Sequence, residues 1–330
     1  MRKITACLLT ILGAITPTAI SDSATRNFGS YYYVSHYDDQ SHQQDYNYYN
    51  VVTKEPSKLE QIVEPKTWNR PASNYTFSYL EEDEFGPSNW GALSPSCNGL
   101  YQSPVSLAVN RSLFVRKKRP LELWGLQSRP TRITLVNEGG SAAYFFDYRK
   151  ADHPRLRGGP LKVDYMFYQF HYHLGSEHSL EGQRSTSELH LVFYNSLYES
   201  YESAQNQADG IAVIALLYDV LKKDRIDTLN KWTRYLSKVI EEDHEYSIPN
   251  YGLFSLSDVT QTTTWPYFSY EGSLTTPPCS ETVQWIVVTQ RMMMTKSELK
   301  KMRQLKGRGG EWVLNSRPNQ ALNFRRVFLY

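Results

Sequence analysis

Two histidines two residues apart, His171 and His173, sit inside an apolar run, and a third, His190, sits in a second such run. Strand side chains alternate between faces, so residues two apart point the same way. One face of the stretch 166–174 therefore carries Gln169, His171 and His173, and one face of 188–192 carries Glu188, His190 and Val192. If the two strands pair, three imidazoles converge with an amide and a carboxylate beside them. A metal-bound imidazole needs its second ring nitrogen held, commonly by a carboxylate or amide. Gln169 and Glu188 each stand two residues before a histidine, on that histidine's face. Three neutral imidazoles plus one open position form the ligand set of a catalytic zinc site rather than a closed structural one. Zn2+ is therefore the expected cofactor, with His171, His173 and His190 as its ligands. With neutral ligands the ion keeps its double charge, and a water in the open position becomes a nucleophile at neutral pH. There is no His-Glu-x-x-His motif on a helix, which argues against a zinc peptidase.

The elements that must position these side chains are mostly strands. From Phe85 onward, short β-rich runs are separated by Gly, Pro and Asn: 133–136, 143–146, 162–174, 189–194, 211–218 and 282–289. One helix is expected, because Ile226, Leu229, Trp232, Leu236, Val239 and Ile240 recur at spacings of three or four behind Asp224 or Asp227 as cap. Many strands with few helices describe a mainly β (α+β) domain around one large sheet. The Met292–Met294 run reads as packing.

Bulk properties set the boundaries. The chain has 330 residues and a formal net charge of +2, which gives no case for a nucleic-acid partner. Residues 1–21 read as a secretory signal peptide: Arg2 and Lys3, an apolar run from Ile4 to Ile15, then small residues. No later stretch is long and apolar enough to span a membrane, so a secreted, extracellular protein is expected. Removing the signal takes Cys7, and Cys97 and Cys279 remain as a pair that reads as one disulfide in an oxidising compartment. Asn74 and Asn110 head glycosylation sequons. Residues 22–80 form an extension rich in tyrosine and polar residues, without helical or strand period, and read as disordered. Such a tract also suits adhesion to an extracellular-matrix partner. The basic run 116–119 reads as a solvated loop.

Several motifs stand in order along the chain: Trp90-Gly91, Gln102 to Val105, Gly158 to Leu161, Gln169 to His173, Gly175 to His178, Glu188 to Val192, Asp209-Gly210, Gly272 to Pro278, Val283 to Trp285 and Asn315 to Pro318. On these motifs, the chain from about Phe85 to its end resembles the α-class carbonic anhydrases of the extracellular type. The resemblance implies a single domain, placed at 81–330, around one large, mostly antiparallel twisted β-sheet with a few surface helices. It implies reversible hydration of carbon dioxide to bicarbonate and a proton by attack of zinc-bound hydroxide. His171, His173 and His190 are then the zinc ligands, and Thr275 hydrogen-bonds both the hydroxide and Glu177. Val192, Val213, Leu274, Val283 and Trp285, with Thr276, line the substrate pocket. His178 is a buried structural histidine, and Cys97–Cys279 matches the disulfide of extracellular members.

Two departures from the family pattern stand out. The position of the family's proton-carrying histidine falls at Gly140, within one residue, and the tyrosine expected after Trp90-Gly91 is Ala92. Proton export is therefore expected to be slow to moderate. The alternative function is a matrix or biomineralisation binding protein that uses this fold as a scaffold, with catalysis secondary.

Overall fold

The structure is a computed structural model and describes residues 26–28, 31–33, 77–116, 119–222, 230–260, 266–307 and 314–330. The chain divides into two compact units, residues 1–46 and 47–330. In the first, the described backbone is an antiparallel ladder pairing Arg26–Phe28 with Tyr31–Tyr33. Three-residue strands are too short to show a period in sequence, although their tyrosines favour extended backbone. The segment 1–21, Asn74, Lys117 and Lys118, Ile226, Leu229 and most of the tyrosine-rich stretch lie outside the described residues.

The second unit is built on a sheet of thirteen described strands. Its central members are β1 (Arg132–Asn137), β2 (Ala142–Asp147), β3 (Tyr165–Leu174), β4 (Ser187–Asn195), β5 (Ile211–Val220), β6 (Tyr267–Gly272), β7 (Val283–Val288) and β8 (Met292–Met294). The order runs Glu245–Ser247, β1, β2, β3, β4, β5, β7, β6, Phe328–Leu329 and Leu113–Phe114. Neighbours are antiparallel except β5 with β7, β5 with β8 and the last pair, which are parallel. The expected strands are therefore present within a residue or three of their sequence bounds, in a mainly β fold with short helices.

Alternation gives the sheet two buried faces. On one, Phe170, Tyr172, Leu189, Leu191, Ile214, Leu216, Ile286 and Val288 pack with Trp232, Leu236 and Val239. On the other, Ala143, Val192, Val213, Ala215, Val283, Trp285 and Val287 form a second cluster. Each such large side chain removed from water contributes roughly 1.5–3 kcal/mol, so a one-residue slip of β3 or β4 would forfeit many of these contacts together.

The expected helix across 226–240 takes a different form. A turn of α-helix covers Asn230–Thr233 and a separate 3-10 turn covers Leu236–Lys238. Trp232, Leu236 and Val239 are fully buried all the same. Spacings of three and four satisfy either turn type, so the pattern located the buried face but not the continuity of the helix.

Candidate metal centre

The three histidines lie side by side because of the β2–β3–β4–β5 register. His171 stands opposite His190, and His173 stands opposite Glu188. Ala143 flanks His171 on one side and Ala215 flanks His190 on the other, so methyl groups leave room for the rings. The potential ligand nitrogens of His171, His173 and His190 lie within 4.8 Å of one another.

Each ring has one nitrogen tied outward. Nδ1 of His171 meets Gln169 Oε1 at 3.1 Å, Nδ1 of His173 meets the Asn315 carbonyl at 2.6 Å, and Nε2 of His190 meets Glu188 Oε1 at 2.7 Å. Since these acceptors carry no proton, each ring donates to them and turns a lone pair inward. The inward atoms His173 Nε2 and His190 Nδ1 are 3.2 Å apart. Two nitrogens about 2.05 Å from one tetrahedral zinc would be separated by ~3.3 Å, so the spacing fits the ion. Removal from water holds His171 well below the usual imidazole range, helped by His173 and His190 and opposed by Glu188. Burial, followed by His173, also lowers His190, against its bond to Glu188. Both rings are thus neutral and able to ligate at pH 7.

The surrounding polar groups are buried and almost all satisfied. Glu188 accepts from His190, from His178 Nδ1 at 2.6 Å and from the His178 backbone N–H at 2.8 Å. Burial alone raises its carboxyl, but its interactions with His178, then with His190, prevail and hold it well below the carboxylate range. His178, Glu188 and His190 also lie close enough together to suggest a second metal cluster. It is not one, because His178 engages Glu188 through Nδ1 and the Tyr270 hydroxyl through Nε2 at 2.6 Å. His178 is thus a buried structural histidine, though its carboxylate partner is Glu188 rather than Glu177.

Glu177 and the Nε of Arg317 are exceptions. Oε1 of Glu177 accepts the Arg317 backbone N–H at 2.9 Å, while Oε2 is buried with no hydrogen-bond partner, 3.5 Å from His173 Nε2. Thr275 is buried in the loop after β6, but no Thr275–Glu177 hydrogen bond occurs among the described residues. That loop is fastened by the Cys97–Cys279 disulfide and by Cys279 N–H donating to the Thr276 carbonyl at 2.8 Å.

Of the expected pocket residues, Val192, Val213 and Trp285 form one cross-strand row beside the histidines. Val283 lies on the same face and Leu274 packs against it; Thr276 is half-buried in the loop. The Trp285 ring centre is 4.9 Å from that of His190. A bulge opposite Val192 and Phe193 makes Tyr168 an extra residue of β3, and its ring stacks on Tyr201 with centres 4.1 Å apart. Asn110 is exposed.

Sequence reasoning gave no role to Asn315 or Arg317. The first acts through a backbone carbonyl, which no residue type encodes. Arg317 is nearly fully buried, with its guanidinium donating to Gln102 Oε1 and the Ser103 carbonyl, both at 2.9 Å. Burial pulls it down to about 10, with Glu177 and Tyr79 opposing, so it remains charged at pH 7. The motif around Asn315 was the available signal.

A mixed, mostly antiparallel sheet thus brings three imidazoles together on adjacent strands in a cluster that could hold a metal ion. Residues 85–330 match the sequence profile of the eukaryotic-type carbonic anhydrases, and the chain belongs to that family. It is 32% identical over 258 residues to carbonic anhydrase 3 of Bos taurus, covering 74% of this chain and 95% of the relative. It is 31% identical to carbonic anhydrase 6 of Mus musculus over 236 residues, covering 68% and 70%. Carbonic anhydrase 7 of Mus musculus is also 31% identical, over 266 residues, covering 77% and 97%.

Proposed function

We propose that this chain is a secreted zinc enzyme that interconverts carbon dioxide with bicarbonate and a proton. The observation that carries this reading is the donor set: three imidazoles with outward nitrogens tied and inward nitrogens at a spacing that suits zinc. Zinc held there supplies the charge that makes water nucleophilic at neutral pH. The protein's part is to keep the rings neutral and oriented through Gln169, Glu188 and the Asn315 carbonyl.

Thr275 and Glu177 are assigned the orienting of the reacting oxygen. The open acceptor at Glu177 Oε2 is what this role needs, because a threonine hydroxyl that donates to a carboxylate can then only accept from the other side. Val192, Val213, Leu274, Val283 and Trp285, with Thr276 at the edge, form the wall for carbon dioxide, a nonpolar substrate that gains more from apolar surface than from hydrogen bonds. Gly140 offers no proton carrier, so export depends on external buffer. The disulfide and the N-terminal apolar run support secretion. No helix of the described residues is long and apolar enough to cross a membrane.

The test is stopped-flow hydration of carbon dioxide by zinc-loaded protein, with His171→Ala as control. Activity that vanishes in the variant is the expected result. One bound zinc per chain without activity in the unaltered protein would overturn the catalytic reading.

A further inference from the structure

One end of the large sheet is the two-residue strand Leu113–Phe114, paired in parallel with Phe328–Leu329. Leu113 N–H donates to the Val327 carbonyl at 2.8 Å, and Val115 N–H donates to the Leu329 carbonyl at 2.9 Å. Successive strand residues turn their amide groups to opposite sides, so Phe114, between these two, presents its N–H and C=O outward. The side chains are bare as well. Leu113 is 50% exposed and Phe114 67%, whereas residues of the central strands are buried on both faces. An open edge carrying apolar side chains is a template for pairing with another chain.

More apolar surface lies at this end of the molecule. Twelve large apolar side chains are exposed among the described residues, and Val109, Leu113 and Phe114 are three of them within six positions. Leu100, Tyr101 and the wholly exposed Phe324 belong to the segments that feed the same edge. Asn323 Nδ2 donates to the Leu100 carbonyl at 2.6 Å, and the Arg325 guanidinium lies 5.9 Å from the Tyr101 ring. Arg111 and Arg116 are exposed on either side of the strand. Such charges blunt an edge, but they flank Leu113 and Phe114 without covering them, and salt screens them.

The sequon Asn110-Arg111-Ser112 stands where a cover would be rooted. It falls in the 3-10 turn Val109–Arg111, which leads directly into the edge strand. The turn is held in place: Val109 N–H donates to Glu181 Oε1 at 2.8 Å, Ser112 N–H to the Val109 carbonyl at 3.1 Å, and Ser112 Oγ to the Ala108 carbonyl at 2.7 Å. Asn110 itself is exposed, three residues before Leu113.

From this placement we infer that Asn110 carries an N-linked glycan whose role is to cover the Leu113–Phe114 edge. The attachment takes a lipid-diphosphate-linked oligosaccharide as donor. Asn110 Nδ2 bonds to the anomeric carbon of its first sugar, the bond from that carbon to the diphosphate oxygen breaks, and one amide proton is released with the lipid diphosphate. A bulky, hydrated oligosaccharide fixed at the start of the strand keeps other chains from the open amide groups and the bare Phe114 ring. The inference rests on the secretion reading proposed above and does not depend on the metal centre.

The test uses the full chain with its own leader, made in secreting animal cells. Mass spectrometry of the peptide containing Asn110, before and after glycosidase, reads the modification. Sedimentation velocity reads association, in about 0.15 M salt and in about 1 M salt, where the Debye length of about 3 Å silences the flanking arginines. The unaltered chain and Ser112→Thr, which keeps the sequon, should be glycosylated at Asn110 and monomeric in both. Asn110→Gln should self-associate at least about tenfold more tightly, most clearly in high salt. Adding Phe114→Lys to it should restore the monomer. Where Asn110→Gln is not exported, trimming the folded glycoprotein to its first sugar replaces it.

An unmodified Asn110 in the secreted chain would overturn the inference. So would an Asn110→Gln chain as monomeric as the unaltered one, or association that survives Phe114→Lys and so uses another surface. A glycosylated chain that still associates would assign the edge to a second copy instead. If the chain is not exported, the secretion reading falls; the same comparisons behind a borrowed leader then still decide whether Asn110 is modified and whether its glycan shields the edge.

Discussion

Replacing Glu188 with glutamine tests how much of the metal site's quality is set one step behind the ligands. The fully buried carboxylate accepts three N–H groups, at 2.7, 2.6 and 2.8 Å, from the rings of His190 and His178 and from the His178 backbone. Glutamine keeps the shape and one acceptor oxygen, but loses the charge and turns an NH2 toward one of those donors. A buried donor left unpaired costs about 1–3 kcal/mol of stability, which lowers the melting temperature by several degrees. Outer partners of metal-bound histidines contribute 10–100-fold in metal affinity, or ~1.4–2.7 kcal/mol. Competition against a zinc chelator at pH 7.5 should therefore show Glu188→Gln binding zinc 10–100-fold more weakly. Gln169→Leu is the comparison. It removes one neutral bond of 3.1 Å, worth ~0.5–1.5 kcal/mol, and should cost about tenfold or less. Zinc affinity of Glu188→Gln within twofold of the unaltered protein would refute the reasoning, as would an equal loss in both variants.

Three further outcomes are expected. Cys97→Ser/Cys279→Ser opens a loop of 182 residues, for which chain entropy gives an upper figure of about 5 kcal/mol; urea unfolding should show a loss of several kcal/mol, and no change would contradict it. The metal-free chain should weaken as pH falls below 6.5. His171 and His190 have folded values depressed below that of the unfolded chain, so the unfolded state binds protons first, and each ring costs ~1.4 kcal/mol per pH unit until its folded value is reached. Urea midpoints at pH 7.5, 6.5 and 5.5 check this, and a flat series would count against it. Turnover of the zinc-loaded enzyme should rise with added imidazole buffer, since Gly140 carries no proton; stopped-flow rates independent of buffer would show another route.

What could be read in the sequence followed the strand period. His171, His173 and His190, with Gln169 and Glu188, were legible because side chains two apart share a face and because the five residues lie on just two adjacent strands. The row Val192–Val213–Trp285 needed the family resemblance to be named, since β5 and β7 pair in parallel across a long connection that no local pattern specifies. The carbonyl of Asn315 lies 142 residues from His173 and carries no side-chain signature. The broken helix at 230–238 shows the opposite error, in which a real buried face was read as one continuous element.

The reach of the last residues back to the centre bears on the order of events during synthesis. His173 donates its outer bond to the Asn315 carbonyl, Glu177 accepts the Arg317 backbone N–H, and Phe328–Leu329 pair with β6 in the sheet. A chain emerging from the ribosome has all three histidines in hand once residue 190 is out, yet lacks the groups that aim His173 until more than a hundred further residues have followed. On the zinc reading proposed above, a nascent or C-terminally shortened chain offers the three imidazoles without the Asn315 carbonyl that orients His173.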